Sequence, residues 1–251
     1  MSEQLTRLLA IMARLRDPSR GCEWDLAQDF ASIAPYTIEE AYEVADAIER
    51  EAWQELRDEL GDLLLQVVFH SRIAEEAGLF TFEEVASSIS DKMESRHPHI
   101  FGNENGTMDT VRWEDLKARE RANAGSSSAM DGVARALPAL LRAEKLQKRA
   151  ARDGFDWPDP AGPEAKVIEE MDELRTADDA HRLEEAGDLL FAAVNLVRAW
   201  GIAPEDALRA ANDKFERRYR GMEALAANGG MNSLDLDAQE ALWQAVKASE
   251  R

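Results

Sequence analysis

Five short segments recur in the same order in the two halves of this 251-residue chain. A chain that repeats itself in this way folds as repeated units, each burying its own apolar face. Gly21-Cys22-Glu23-Trp24-Asp25 is matched by Gly154-Phe155-Asp156-Trp157-Pro158, and Glu39-Glu40-Ala41-Tyr42-Glu43 by Glu169-Glu170-Met171-Asp172-Glu173. Glu59-Leu60-Gly61-Asp62-Leu63-Leu64 is matched by Glu185-Ala186-Gly187-Asp188-Leu189-Leu190. Asp91 to Arg96 faces Asp213 to Arg218, and Trp113-Glu114-Asp115-Leu116-Lys117 faces Trp243-Gln244-Ala245-Val246-Lys247. Colinear matches at offsets of 122 to 133 residues indicate a duplication. The small, polar stretch Ala122-Asn123-Ala124-Gly125-Ser126-Ser127-Ser128 has linker composition. The expected organisation is therefore a module over residues 1–121, a linker over 122–135 and a second module over 136–251.

Both modules read as all-α. Leu5, Leu8, Leu9, Met12 and Leu15 recur at helical spacing, as do Ile38, Ala41, Tyr42, Ala45 and Ile48, whereas strand-like alternation is scarce. Loops are expected at Asp17-Pro18-Ser19-Arg20-Gly21, His97-Pro98-His99, Trp157-Pro158-Asp159-Pro160 and Asn228-Gly229-Gly230.

Fifty acidic residues against thirty basic ones leave a formal net charge of −20. Such a surface repels nucleic-acid backbones and anionic headgroups, so neither nucleic acid nor membrane is an expected partner. A polyphosphate ligand, by contrast, requires a cation and some local Lys or Arg. The single cysteine, Cys22, excludes an internal disulfide and a Cys-based metal site, which suits a reducing cytoplasm. Residues 1–16 mix charges among their apolar side chains, so an export signal or membrane anchor is not expected there.

Each copy carries two acidic motifs, Glu-Glu-x-x-Glu and then Glu-x-x-Asp. Residues three apart share a helix face, which pairs Glu40 with Glu43 and Glu59 with Asp62, and likewise Glu170 with Glu173 and Glu185 with Asp188. Acidic helix faces are usually just solvated. Here, however, the second motif runs directly into Leu63 to Phe69 or Leu189 to Val194, segments apolar nearly all round and so expected to be buried. Four carboxylates at such a helix mouth need a counter-cation, and all-oxygen ligands favour Mg²⁺ or Mn²⁺ over zinc. Gly61 and Gly187, each just before the Asp, suggest close approach by another backbone or a ligand. Lys214, Arg217 and Arg218 follow within about a turn of helix and suit a triphosphate clamp. In the first copy Ser95 replaces Arg217 and Tyr36 replaces Lys166, so the second copy is expected to be the better nucleotide site. The histidines His70, His97, His99 and His181 are not paired at ligand spacing, and no P-loop motif occurs.

At these residues the chain resembles the two-module bacterial form of the MazG-type nucleoside triphosphate pyrophosphohydrolases. The likeness runs from Arg16-Asp17-Pro18 through Ile33-Ala34-Pro35-Tyr36-Thr37 and Arg96-His97-Pro98-His99 to Lys214-Phe215-Glu216-Arg217-Arg218 and Trp243. It implies hydrolysis of an NTP or dNTP to the monophosphate and pyrophosphate, as nucleotide-pool housecleaning, by a homodimer whose helices complete bundle-like sites. It also implies metal on Glu170, Glu173, Glu185 and Asp188, with a second set at Glu40, Glu43, Glu59 and Asp62. Lys166, Glu169, Lys214, Arg217 and Arg218 would then meet the substrate, with Trp243 near the base. Two other readings remain at this point: a di-iron carboxylate bundle, although Glu or Asp stands where that class wants histidine, and an acidic module that docks a basic partner without catalysis.

Overall fold

The computed structural model describes residues 2–102, 107, 112–113, 116–118, 120, 125, 127–226 and 230–250. Glu114 and Asp115 of the last repeat, part of the 122–128 stretch, and the turn at Asn228-Gly229 lie outside them. The secondary structure is helical, with no strand among the described residues. None of the described helices is by itself long and apolar enough to cross a membrane. The chain divides into two compact units, Met1–Leu116 and Lys117–Arg251.

The first unit contains α1 (Glu3–Leu15), α2 (Glu23–Leu26), α3 (Phe30–Glu49), α4 (Trp53–Glu76), α5 (Phe82–Arg96) and α6 (Pro98–Phe101). Its helix starts follow from capping chemistry. Ser2 accepts from the Leu5 amide, Asp29 and Ser32 form a reciprocal capping box at α3, and Thr81 and Glu84 form another at α5. The short turn between α3 and α4 closes them into a hairpin. Met12, Ile33, Val68, Phe69 and Ile73 make the core, flanked by Leu8, Leu9, Leu65 and Phe82. The expected loop at His97-Pro98-His99 is instead one turn of helix, because Pro98 occupies its first position, where a missing N–H costs nothing.

The second unit contains α7 (Ala139–Arg152), α8 (Ala161–Thr176), α9 (Arg182–Ala199), α10 (Pro204–Leu225), a 3₁₀ turn at Met231–Ser233 and α11 (Leu236–Ser249). The hairpin α8–α9 repeats α3–α4, and α7 and α10 pack on α9. The segment expected to be linker differs from the expectation. Arg149 donates to the carbonyls of Ala129 (2.7 Å) and Asp131 (3.2 Å), and Asp131 accepts from the amides of Ser127 and Ser128. Residues 127–131 thus form a tight turn bound to α7 rather than a free tether.

A second difference concerns α4 and α9, whose apolar runs are buried on one side only. Val68, Phe69, Ala192 and Val194 are buried, while Leu60 (50%), Leu64 (40%) and Leu190 (60%) remain exposed.

A charged contact anchors α1 to α4. Arg16 is 7% exposed and donates through Nε and Nη2 to both oxygens of Glu76 (2.8–3.2 Å) and through Nη1 to the Asp25 and Gln28 carbonyls, with its guanidinium over Phe69. Burial pushes the Glu76 carboxyl up, but the hydrogen bonds and charges of Arg16 and Arg72 outweigh it and hold it below the usual carboxylate range. Arg16→Met should destabilise this unit by about 1–3 kcal/mol, since it leaves Glu76 with Arg72 as its remaining ion-pair partner and removes a buried donor from the Asp25 and Gln28 carbonyls. A depressed folded-state pKa contributes stability that is complete above the unfolded value of 4.5 and is lost as pH falls through the folded value. The gap between wild type and variant in urea denaturation should therefore narrow in acid; a gap independent of pH would show that Glu76 is not the partner that matters.

Candidate metal centre

The α8–α9 hairpin brings together three of the four expected carboxylates of the second unit. Glu170 and Glu173 sit three residues apart on α8 and Glu185 on the first turn of α9, each with an oxygen within 4.8 Å of the other two. Glu170 is 4% exposed, Glu185 half-buried and Glu173 exposed. Partial desolvation raises the Glu173 carboxyl above its usual value, the negative charges of Glu170 and Glu185 raise it further, and Lys166 opposes them. The fourth carboxylate, Asp188, lies one turn further along α9, outside this cluster, and lines a cavity with Glu170.

Lys166 supplies the nearest positive charge. Its ammonium lies 2.6 Å from Glu170 Oε1 and 2.9 Å from Glu169, which hold its pKa well above the ordinary lysine value. The other Glu170 oxygen, Oε2, is buried without a hydrogen-bond partner. A buried, unpartnered carboxylate oxygen beside two more carboxylates fits a small divalent cation with oxygen ligands.

The first unit repeats the arrangement with different surroundings. Glu40, Glu43 and Glu59 form the cluster, and Asp62 again lies outside it. Burial first, then Asp62, Glu43 and Glu59, raise the Glu40 carboxyl; burial, then Glu43 and Asp62, raise Glu59. The position of Lys166 is held by Tyr36, which meets Trp24 edge-on, and Gln66 donates to Glu40 at 3.4 Å.

The expected phosphate clamp is not gathered at this cavity. Arg217 and Arg218 pair with Glu250 at 3.3 and 2.7 Å, and Arg218 lies over the ring of Trp243, which also packs on Phe215. Lys214 is exposed on the same helix. None of the four lines the cavity beside Glu170. Spacing put the cations on one helix face, but that face meets α11. A Cβ on Gly61 or Gly187 would meet nothing within 4 Å, so it is not another backbone of this chain that approaches either glycine.

The cavity, about 560 Å³, is lined by Lys166, Glu170 and Asp188 and also by groups the sequence did not single out. Arg198 (side chain 12% exposed) donates to both oxygens of Asp156, at 2.6 and 3.0 Å, and to Asn195. Burial pushes the Asp156 carboxyl up, but its hydrogen bonds to Arg198 are the larger influence and hold it below the usual range. Gln147 reaches in from α7. A lone Gln or Asn in a helix carries no motif; the only available signal was the repeated Gly-x-x-Trp segment, which Arg198 pins here.

Comparison with known proteins places the chain. A model described as the MazG nucleotide pyrophosphohydrolase domain matches residues 28–101, the stretch that carries the first carboxylate cluster. A nucleoside triphosphate pyrophosphohydrolase of Escherichia coli is 51% identical over 258 residues, covering 98% of both chains. A nucleoside triphosphate pyrophosphohydrolase/pyrophosphatase MazG of Thermotoga maritima is 43% identical over 97% of this chain and 95% of its own. A nucleoside triphosphate pyrophosphohydrolase of Mycolicibacterium smegmatis is 37% identical over 61% of this chain and 48% of its own. Near full-length identity of this degree, together with the paired carboxylate hairpins, means that the chain belongs to the MazG family of nucleotide pyrophosphohydrolases.

Proposed function

We propose that the chain hydrolyses nucleoside triphosphates to the monophosphate and pyrophosphate, that the second unit is the main site, and that Mg²⁺, or Mn²⁺ in its place, is the cofactor. The observation that carries this reading is Glu170, a buried carboxylate with one oxygen on Lys166 and the other without a partner, in a cluster with Glu173 and Glu185 at the edge of a cavity. Glu170, Glu173, Glu185 and Asp188 would hold the cation. Bound there, it supplies positive charge for the triphosphate oxygens and makes a nearby water more acidic. The carboxylates orient that water and accept its proton, and the low polarity around Glu170 strengthens each charge interaction. Lys166 balances the cluster until substrate arrives, then turns from Glu169 toward a phosphate oxygen as a mobile point charge. Water adds to phosphorus, one bridging P–O bond breaks, and the two products leave with one proton released.

A di-iron centre is disfavoured because the clusters contain carboxylates alone. A docking role would not call for a buried, unpartnered carboxylate. The exposed Cys22 thiol and the nucleotide substrate suit a cytoplasmic enzyme that clears the nucleotide pool. A homodimer is supported by apolar side chains left exposed on the metal-bearing hairpin, Ile168 (59%), Met171 (57%), Leu183 (86%) and Leu190 (60%), which a second copy would cover. That copy is also a source for the cationic residues absent from the cavity wall.

Release of pyrophosphate and monophosphate from a panel of NTPs and dNTPs with Mg²⁺ is the direct test. Glu170→Ala should lower turnover at least about a hundredfold, whereas Glu40→Ala should leave most of it. Loss in Glu40→Ala alone would move the main site to the first unit, and no product from any nucleotide would end the hydrolase reading. Leu190→Glu should shift the mass measured by light scattering from dimer to monomer; an unchanged mass would place the interface elsewhere.

A further inference from the structure

The two arginines that the hydrolase reading assigns to the triphosphate are already engaged by a carboxylate. Arg218 meets Glu250 Oε2 through Nε at 2.8 Å and Nη2 at 2.7 Å, and Arg217 meets the other oxygen, Oε1, through Nε at 3.3 Å. One carboxylate thus spans two guanidinium groups. Carboxylate and phosphate offer a guanidinium the same kind of paired acceptor, so Glu250 fills positions that phosphate oxygens would take.

The two arginines are held unequally. The Arg218 side chain is 17% exposed and lies over the Trp243 ring, 5.4 Å from its centroid, so the indole and the carboxylate fix it together. The Arg217 side chain is 64% exposed, and its bond to Glu250 is the longest of the three. Hydrogen bonds from Arg218 hold the Glu250 carboxyl below the usual carboxylate range; burial opposes them and Arg217 adds to them. An ionised carboxylate shared by two guanidinium groups leaves one positive charge unanswered, whereas a triphosphate brings several negative charges to the same place.

Packing sets where Glu250 stands. Val246 of α11 is 8% exposed and seats on Gly221 of α10, where a Cβ would fall 3.0 and 3.2 Å from its two γ-carbons. Arg217 and Arg218 lie one turn before Gly221, and Glu250 lies one turn after Val246, so the close approach of the helices delivers the carboxylate to the arginines. The pattern Trp-x-x-x-Lys-Ala-x-Glu-Arg over residues 243–251 recurs over 113–121, and Arg96 lies over Trp113 as Arg218 lies over Trp243. The second copy differs in having Arg217 where the first has Ser95. The loosely held arginine is therefore the one that distinguishes the second copy.

We propose that Glu250 is a latch on the phosphate-binding arginines: it holds Arg217 in the free enzyme, yields it to the triphosphate while Arg218 stays against Trp243, and recaptures it as pyrophosphate leaves. The proposal rests on the hydrolase reading, in which the arginines meet phosphates at a site that a second copy completes. Glu250 is then a positioning residue that acts through Arg217. By competing with phosphate it weakens the binding of substrate and pyrophosphate alike, and so favours product release.

The test uses the full-length protein with Mg²⁺ and measures calorimetric affinity for inorganic tripolyphosphate, together with inhibition of NTP cleavage by pyrophosphate. Glu250→Gln should bind tripolyphosphate about tenfold more tightly and lower the pyrophosphate inhibition constant by a similar factor, with single-turnover cleavage unchanged. A gain in affinity cannot arise from a damaged fold. In an Arg217→Gln background the gain from Glu250→Gln should disappear. Glu240→Gln removes an exposed charge from the same helix, where Glu240 bonds Gln244, and should leave tripolyphosphate affinity as in wild type. Unchanged or weaker binding in Glu250→Gln, an equal gain in Glu240→Gln, or a gain that persists without Arg217 would each overturn the latch. If the tripolyphosphate pattern appears but no NTP releases pyrophosphate, the latch stands and the hydrolase reading falls.

Discussion

Three carboxylates held within 4.8 Å of one another repel, and each unit is organised around that repulsion. The α3–α4 and α8–α9 hairpins force the contact by bringing two acidic helix faces together at one end. Without an answering charge, such a cluster opposes the packing that creates it. The second unit answers with Lys166, drawn onto Glu169 and Glu170. The first unit has no lysine there. It has a Gln66 amide on Glu40, and two carboxyls with raised proton affinity. Both copies raise carboxyl groups of their clusters, and what differs is the neighbour: a lysine ammonium in one copy, an amide hydrogen bond in the other.

Those different answers lead to different surroundings. Where Gln66 fills space beside Glu40, Ala192 leaves space beside Glu170, and the neighbouring wall changes from Phe69 to Asn195. The family model nevertheless matches residues 28–101, in the first unit. The first unit carries the matched pattern, and the second combines the lysine, the orphaned carboxylate oxygen and the cavity beside them.

Much of the fold could be read from the sequence because its signals are local. Helical spacing located α1 and α3, and the repeated Glu-x-x-Glu and Glu-x-x-Asp motifs located both acidic clusters, since three-residue spacing fixes a shared face whatever the tertiary context. What spacing cannot fix is which neighbour that face meets. Lys214, Arg217 and Arg218 share a helix as expected, yet Arg217 and Arg218 meet Glu250, more than thirty residues on. Gln147 and Arg198 were invisible for the opposite reason: each is an ordinary residue in an amphipathic helix until α7, α9 and the Trp157 loop come together. The apolar runs of α4 and α9 were read as buried helices, but composition alone does not say whether the chain covers a face itself.

The Arg149 contacts with the Ala129 and Asp131 carbonyls show that the seam of the duplication and the seam of the fold do not coincide. Met130, held in that turn, lines the cavity beside Glu170. The connecting peptide, which belongs to neither repeat, has become part of the second unit's wall. A fragment cut at residue 136, where the repeat resumes, would retain every motif of the second copy yet lose Met130 from the cavity wall. Duplication supplied this protein with two copies of a helical pattern, and the residues between them helped make one copy into a vessel.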